Sequence, residues 1–311
     1  MYRLLYFIIV LISFNSFSQD EWEHIGTLSS GEGSRTGGAV SISNDGLIVA
    51  SSSISPHYDS TLETNQTGAD NYDGNVKIIR AVFSDTNGGL NGWEQIGQEL
   101  FGMEDEGFGY AISLSGDGSI IAIGVVADQP GIGKARIFQN INDNWVQIGD
   151  DIIGPNESER FGHSISISDD GSIVAIGAIG QKWSDGNTGR VFIYQNINDN
   201  WVQMGNEIVG VQNGEMFGFS VSLNNSGSIL AVGAPLHGSF YAANVTPTNQ
   251  EGEVRVYEYL NNNWSQLGNI IETVGNVNGH WNALFGYSVS LNNQGNILAI
   301  GSPDWTTYQQ A

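Results

Sequence analysis

Residues Phe161 to Gly210 read FGHSISISDDGSIVAIGAIGQKWSDGNTGRVFIYQNINDNWVQMGNEIVG, and this stretch decides the fold because the chain repeats it. It has four parts: a Phe-Gly opening with alternating residues, an Asp-Gly turn into an apolar run, a Gly-led run ending in Tyr, and a Trp strand after an Asn/Asp turn. The same order starts at Phe108 (FGYAISLSGDGSIIAIG, then GKARIFQNINDNWVQIG) and at Phe217 (FGFSVSLNNSGSILAVGAP, then GEVRVYEYLNNNWSQLG). It opens again at Phe285 (FGYSVSLNNQGNILAIGSP), and a diverged copy starts at Thr36 (TGGAVSISNDGLIVASS). The tryptophans of the Trp strands, Trp22, Trp93, Trp145, Trp201 and Trp264, are 71, 52, 56 and 63 residues apart. The strands are constant and the loops vary in length, which is the mark of a repeat architecture.

Each part reads as a strand. Ile165 and Ile167 alternate with Ser164, Ser166 and Ser168, the period of two expected of a β-strand. Asp170-Gly171 is a hairpin signal, and Asp45-Gly46, Asp117-Gly118, Ser226-Gly227 and Gln294-Gly295 fill the same slot. The run Ile173 to Ile176 is apolar on both faces, so that strand is covered on both sides. The Trp strand alternates more clearly and belongs at the outer edge. Four-stranded units of about 50 residues, apolar on both faces, stack radially into a ring. The expected fold is therefore all-β: a β-propeller of four-stranded antiparallel blades, four full blades plus a partial fifth. The blades start near residues 36, 108, 161, 217 and 285.

Composition narrows the function classes. The 311 residues include 42 Gly and no Cys, with a formal net charge of -23. Such a surface repels nucleic acid and anionic lipid, and no Lys/Arg cluster makes an exception. Residues 1–18 read as a signal peptide: Arg3, the apolar run Leu4 to Phe14, then Ser16-Phe17-Ser18 ahead of a cleavage point before Gln19. That predicts a secreted or cell-surface propeller over residues 19–311, with no membrane insertion after signal removal. Without Cys it is held by core packing alone. Trp22-Glu23-His24-Ile25-Gly26 matches the Trp strand that ends each later unit, so the processed chain begins with the last strand of a unit.

The Phe-Gly openings, together with Gly233-Ala234-Pro235, resemble the FG-GAP repeat of integrin-α-type propellers and of secreted bacterial surface proteins. The resemblance covers roughly residues 20 to 303, with Gly301-Ser302-Pro303 a near match to Gly-Ala-Pro. It implies cell-surface adhesion or binding, and, in many such blades, an Asp-x-Asp-x-Asp-Gly calcium loop between the first two strands. Ser115-Gly116-Asp117-Gly118 and its counterparts are instead tight turns with too few oxygens for a six- to eight-ligand cation. No cofactor is expected there. The one candidate calcium set is Asp70, Asn71 and Asp73, just ahead of Gly74.

Strand parity places the variable loops. If the strands of a blade alternate in direction, the loop after the second strand and the loop between blades share one face. Ser52 to Asn75, Gly180 to Gly189, Pro235 to Gly252 and Thr273 to Leu284 all fall there, and loops on a rigid scaffold are where binding is built. Candidate ligand-binding residues on them are Tyr58, Tyr72, Trp183, His237, Tyr241 and Trp281. His163 occupies a strand slot filled elsewhere by Tyr110, Phe219 and Tyr287, and so reads as packing. Glu104-Asp105-Glu106 reads as solvated surface. No catalytic residue is assigned, since no nucleophile, metal-ligand or phosphate-loop motif occurs.

The expected function is a non-catalytic binding or adhesion module for an extracellular glycan or protein ligand. The alternatives are a propeller enzyme or accessory domain acting on extracellular polysaccharide, and a purely structural spacer. After Phe285 the repeat yields two strands and then Gly301-Ser302-Pro303, with Ala311 the last residue. The expectation is a ring that continues past Ala311, with an irregular third strand from Trp305 to Gln310 as the alternative.

Overall fold

The computed structural model describes residues 35–54, 74–84, 89–103, 106–126, 132–157, 159–180, 188–236, 252–272 and 284–303. Their regular structure is all strand. Blade 1 comprises β1 (Arg35–Ile42), β2 (Ile48–Ile54), β3 (Asn75–Phe83), β4 (Leu90–Gln95) and β5 (Leu100–Phe101). Blade 2 comprises β6 (Phe108–Leu114), β7 (Ile120–Val125), β8 (Lys134–Asn140), β9 (Trp145–Gln147) and β10 (Ile152–Ile153). Blade 3 comprises β11 (Phe161–Ile167), β12 (Ile173–Ala178), β13 (Arg190–Ile197), β14 (Asn200–Gln203) and β15 (Ile208–Val209). Blade 4 comprises β16 (Ser220–Leu223), β17 (Ile229–Ala234), β18 (Glu253–Leu260), β19 (Asn263–Gln266) and β20 (Ile271–Glu272). The hairpin β21 (Ser288–Leu291) and β22 (Leu298–Gly301) forms the partial fifth. The molecule is a β-propeller, with each sheet antiparallel and its strands in sequence order.

The fourth rank of each full blade departs from a single continuous strand. The Trp segment pairs with one half of the third strand and a two-residue segment pairs with the other half, as with Tyr194↔Gln203 and Arg190↔Val209 on β13. Between the two segments lies a glycine at positive φ: Gly97, Gly149, Gly205 or Gly268. The kink follows from what stands in front of it. A Cβ on Gly149 would run into the Asp199 carbonyl of the next blade, and one on Gly97 would meet the Asp143 carbonyl.

The two turns of each unit solve different problems. At the first hairpin, Ser168 Oγ accepts the Ile173 N–H at 2.9 Å, and the Ser172 N–H donates to Asp170 Oδ1 at 3.0 Å. Only the glycine there has a positive φ, 71° at Gly171. At the second hairpin both central residues are left-handed, Asn142 and Asp143 at 54° and 59°, and Asn198 and Asp199 at 53° and 62°. That is the two-residue turn whose twist matches the flanking strands, and Asn and Asp tolerate it better than other non-glycine residues. The Asn-rich composition is therefore a turn requirement.

The core lies between blades. Blade 1 contributes Ala50, Val76 and Ile78, and blade 2 contributes Ile112, Ile121 and Ile123, to one such layer. Two further layers fill the spaces between blades 2 and 3 and between blades 3 and 4. The Phe of three Phe-Gly openings, Phe108, Phe161 and Phe217, is completely buried in these layers, and Phe285 of the partial blade is half-buried. The Trp strands of blades 2, 3 and 4 are latched to the blade before: the indole N–H groups of Trp145, Trp201 and Trp264 donate to the carbonyls of Ile96, Ile148 and Met204 at 2.9, 3.0 and 2.9 Å.

First strands adjoin one another as the innermost rank. The backbone N–H groups of Leu114, Ile167, Leu223 and Leu291 donate to the hydroxyls of Ser41, Ser113, Ser166 and Ser222 on the preceding blade. The serine alternation of the first strand is this ladder. Gly149 and Gly268 share a register and a left-handed φ, but no described atom stands within 4 Å of a Cβ placed on Gly268. Gly268→Ala should therefore cost about 1–2 kcal/mol, the left-handed strain alone. Gly149→Ala should cost at least about 1 kcal/mol more. Urea denaturation of the two variants compares them directly, and equal losses would contradict the blade contact.

Candidate functional site

The antiparallel register brings the ends of every long connection to one face. β2 ends and β3 starts where Ser53 pairs with Asn75, and β12 meets β13 there through Ala178 and Arg190. β17 and β18 meet there through Ala234 and Glu253. The crossings from one blade to the next leave from the same end, since β5, β10, β15 and β20 pair with the opening residues of their third strands. The Asp-Gly and Asn turns close the opposite face.

The candidate ligand residues Tyr58, Tyr72, Trp183, His237, Tyr241 and Trp281 all lie outside the described residues. So does the candidate calcium set Asp70, Asn71 and Asp73. What is described is the platform from which their loops spring. Among the described residues no group of three or more His, Asp or Glu side chains converges in a way that could hold a metal ion.

A column of rings runs across the long-loop end of the first strands. Tyr110 and His163 have centroids 5.1 Å apart, His163 and Phe219 4.8 Å, and Phe219 and Tyr287 4.8 Å. His163 is a packing residue in this column, as its slot in the repeat implies. Burial, with the nearby Arg160 charge adding to it, lowers its pKa to about 4, so the ring is neutral near pH 7.

Beside the column, the linker ahead of each Phe-Gly opening carries a glutamate that folds onto the third strand of the blade it leads into. Glu106 accepts from both Arg136 and Lys134, with Arg136 Nη1 at 2.7 Å. Arg136 also bonds Asp151 at 3.0 Å. Arg190 lies between Glu159 at 3.8 Å and Glu207 at 3.1 Å. Arg255 pairs with Glu253 and approaches Glu215 at 3.5 Å, and all three are buried.

Glu106 is thus not the solvated surface residue that the Glu104-Asp105-Glu106 run implied. Its partners lie 28 and 30 residues downstream on one strand, and only folding brings them to it. A sequence signal did exist: Glu106, Glu159 and Glu215 each stand two residues before the Phe. These ion pairs tie the linkers ahead of Phe108, Phe161 and Phe217 to their sheets. Burial by itself would raise the Glu106 carboxyl, but the Arg136 and Lys134 hydrogen bonds and the Met103 N–H outweigh it and hold the pKa at about 2.

A groove of about 250 Å³ lies between the outer ranks of blades 2 and 3. Its walls are Asp150, Asp151, Ile152 and Ile153 on one side and Tyr194, Asn200 and Trp201 on the other.

No known protein family matches the chain, and no curated protein does. Solved structures with similar folds are remote in sequence. A Lactobacillus plantarum protein is 12% identical at a TM-score of 0.48, with 86% of this chain and 64% of that one matched. The chain thus spans less than two thirds of that protein. The β-propeller domain of Swd1 from Myceliophteria thermophila is 10% identical at a TM-score of 0.45, covering 88% of this chain and 80% of its own. Sqt1 of Chaetomium thermophilum, solved with the N-terminus of the ribosomal protein L10, is 12% identical at 0.49, covering 92% and 59%. These likenesses concern the course of the chain and say nothing of a ligand.

The depressed Glu106 pKa makes a stability prediction. Its contribution is complete above its ordinary pKa of 4.5 and is lost as the pH falls through about 2. Asp117, Asp151 and Asp170 are also held low and act in the same direction. Glu106→Gln should cost about 2 kcal/mol at pH 7, the loss of charge-assisted bonds, and should flatten the decline between pH 4.5 and 2. Urea midpoints measured across that range test it, and an unchanged slope would contradict the assignment.

Proposed function

We propose that this chain is a non-catalytic binding or adhesion module displayed outside the cell. In this reading residues 1–18 direct export, and the long loops of one propeller face contact a glycan or protein ligand. The supporting observation is the register: the strand ends flanking residues 55–73, 181–187 and 237–251 share one end of the blades, where the aromatic column and the linker ion pairs make a firm base. Candidate contact residues are Tyr58, Tyr72, Trp183, His237, Tyr241 and Trp281. A calcium ion bound by Asp70, Asn71 and Asp73 would order the first of these loops.

A rigid frame under variable loops suits recognition, since the frame holds position while loop sequence sets specificity. The aromatic content of the loops suits stacking on sugar rings as well as burial against protein. The acidic surface directs the choice toward neutral or basic ligands.

The processed chain, screened against a panel of glycans and matrix proteins with and without calcium, should show saturable binding. Shortening the loop between Pro235 and Gly252 should weaken that binding at least tenfold while leaving the thermal midpoint nearly unchanged. Absence of binding across the panel favours a spacer, and turnover of any glycan overturns the non-catalytic reading.

A further inference from the structure

The groove between blades 2 and 3 has a counterpart one junction earlier that is closed by a side chain. At the equivalent junction between blades 1 and 2, Gln98 fills it. Gln98 Nε2 donates to the Trp145 carbonyl at 2.7 Å, and the Trp145 N–H donates back to Gln98 Oε1 at 3.1 Å. The carboxamide thus covers both backbone groups of a single strand residue. Trp145 beneath it is 3% exposed.

The same backbone groups are presented at the next junction. Ile148 pairs with Ile137 through its N–H, as Met204 does with Ile193, so three residues earlier Trp145 and Trp201 stand in the same phase of the antiparallel ladder. In that phase the N–H and C=O face away from the third strand. The residue equivalent to Gln98, directly after the kink glycine, is Asp150. It is one methylene shorter and its carboxylate has no N–H to offer, so it cannot bridge the pair. Trp201 is half-buried, whereas Trp145 beneath Gln98 is buried; Trp264 is buried as well, although the residue after its kink glycine, Asn206, is no longer than Asp150.

We propose that this groove binds a primary carboxamide, the side chain of an asparagine or glutamine on a polypeptide partner. The ligand amide takes the place that Gln98 takes one blade earlier: its oxygen accepts the Trp201 N–H, and its N–H cis to that oxygen donates to the Trp201 carbonyl. Its second N–H is free for Asp150. The ligand's methylenes lie against Ile152, Tyr194 and the Trp201 ring, which its own bond to the Ile148 carbonyl holds in place. Asp151 is committed to Arg136 and to Gln147 and so serves as wall.

The test is an NMR titration of the whole processed chain with three small probes, read at the Trp201 backbone and indole signals. Propionamide should give saturable shifts with a Kd on the order of millimolar, as expected for a probe of this size. Propionate has no N–H, and N-methylacetamide, which stands for the acetamido group of a sugar, lacks an N–H cis to its oxygen. Neither should saturate. Asp150→Gln should abolish the propionamide response by filling the groove from within. Gln98→Ala should create a new response at Trp145.

No propionamide shift at Trp201, or an equal response to either control probe, overturns the proposal. So does a folded Asp150→Gln variant that still binds. If the variants fail to fold, the comparison of three probes on the unaltered protein still decides.

Discussion

Successive blades approach so closely that their backbones touch, and no side chain fits at the points of contact. A Cβ on Gly124, Gly177 or Gly233 of a second strand would collide with the carbonyl of Gly162, Gly218 or Gly286 in the Phe-Gly opening of the next blade. Just ahead of the third strand, Gly74, Gly133, Gly189 and Gly252 stand in the same relation to the carbonyls of Phe108, Phe161, Phe217 and Phe285. The Phe-Gly opening therefore works in two directions. Its Phe fills the layer between blades, and its Gly, at φ of 83 to 89°, lets the backbone sit flush on the neighbour. Gly233-Ala234-Pro235 is the receiving half of the same contact.

The other inter-blade contacts depend on that distance of approach. Only at this separation do the Trp indole N–H groups reach a carbonyl of the preceding blade, and the first-strand serines meet the backbone of the following one. The ion pairs of Glu106, Glu159 and Glu215 then hold the crossings from one blade to the next. Buried pairs of this kind contribute less to stability than their number implies, because desolvation offsets attraction. Their consequence is positional, since they fix where each loop face begins.

The strand pattern was open to reading because it is local. Alternation at Ile165 and Ile167, the apolar run Ile173 to Ile176 and the turns at Asp170-Gly171 and Asn198-Asp199 each carry their structural reason within a few residues. His163 was legible for a related reason: four units offer the same slot, and three of them fill it with Tyr or Phe. Glu106 was misread because a charged run in a linker resembles solvent-facing sequence, and its cationic partners belong to a strand that folding brings alongside. The interruption of the fourth rank went unforeseen as well, although Gly97, Gly149, Gly205 and Gly268 recur in plain view. A glycine reports that space is lacking without saying what occupies it.

By itself the sequence determined that the chain is all-β, that its unit repeats, where each unit begins and which connections vary. Those properties follow from periodicity and turn dihedrals, which neighbouring residues settle among themselves. Only the tertiary structure decided what the repeated residues are for. That Gln98 closes a junction depends on the backbone of a tryptophan about 50 residues further on. Stacking one blade against the next brings these groups into register, and the energy of each contact exists only once the blades have met.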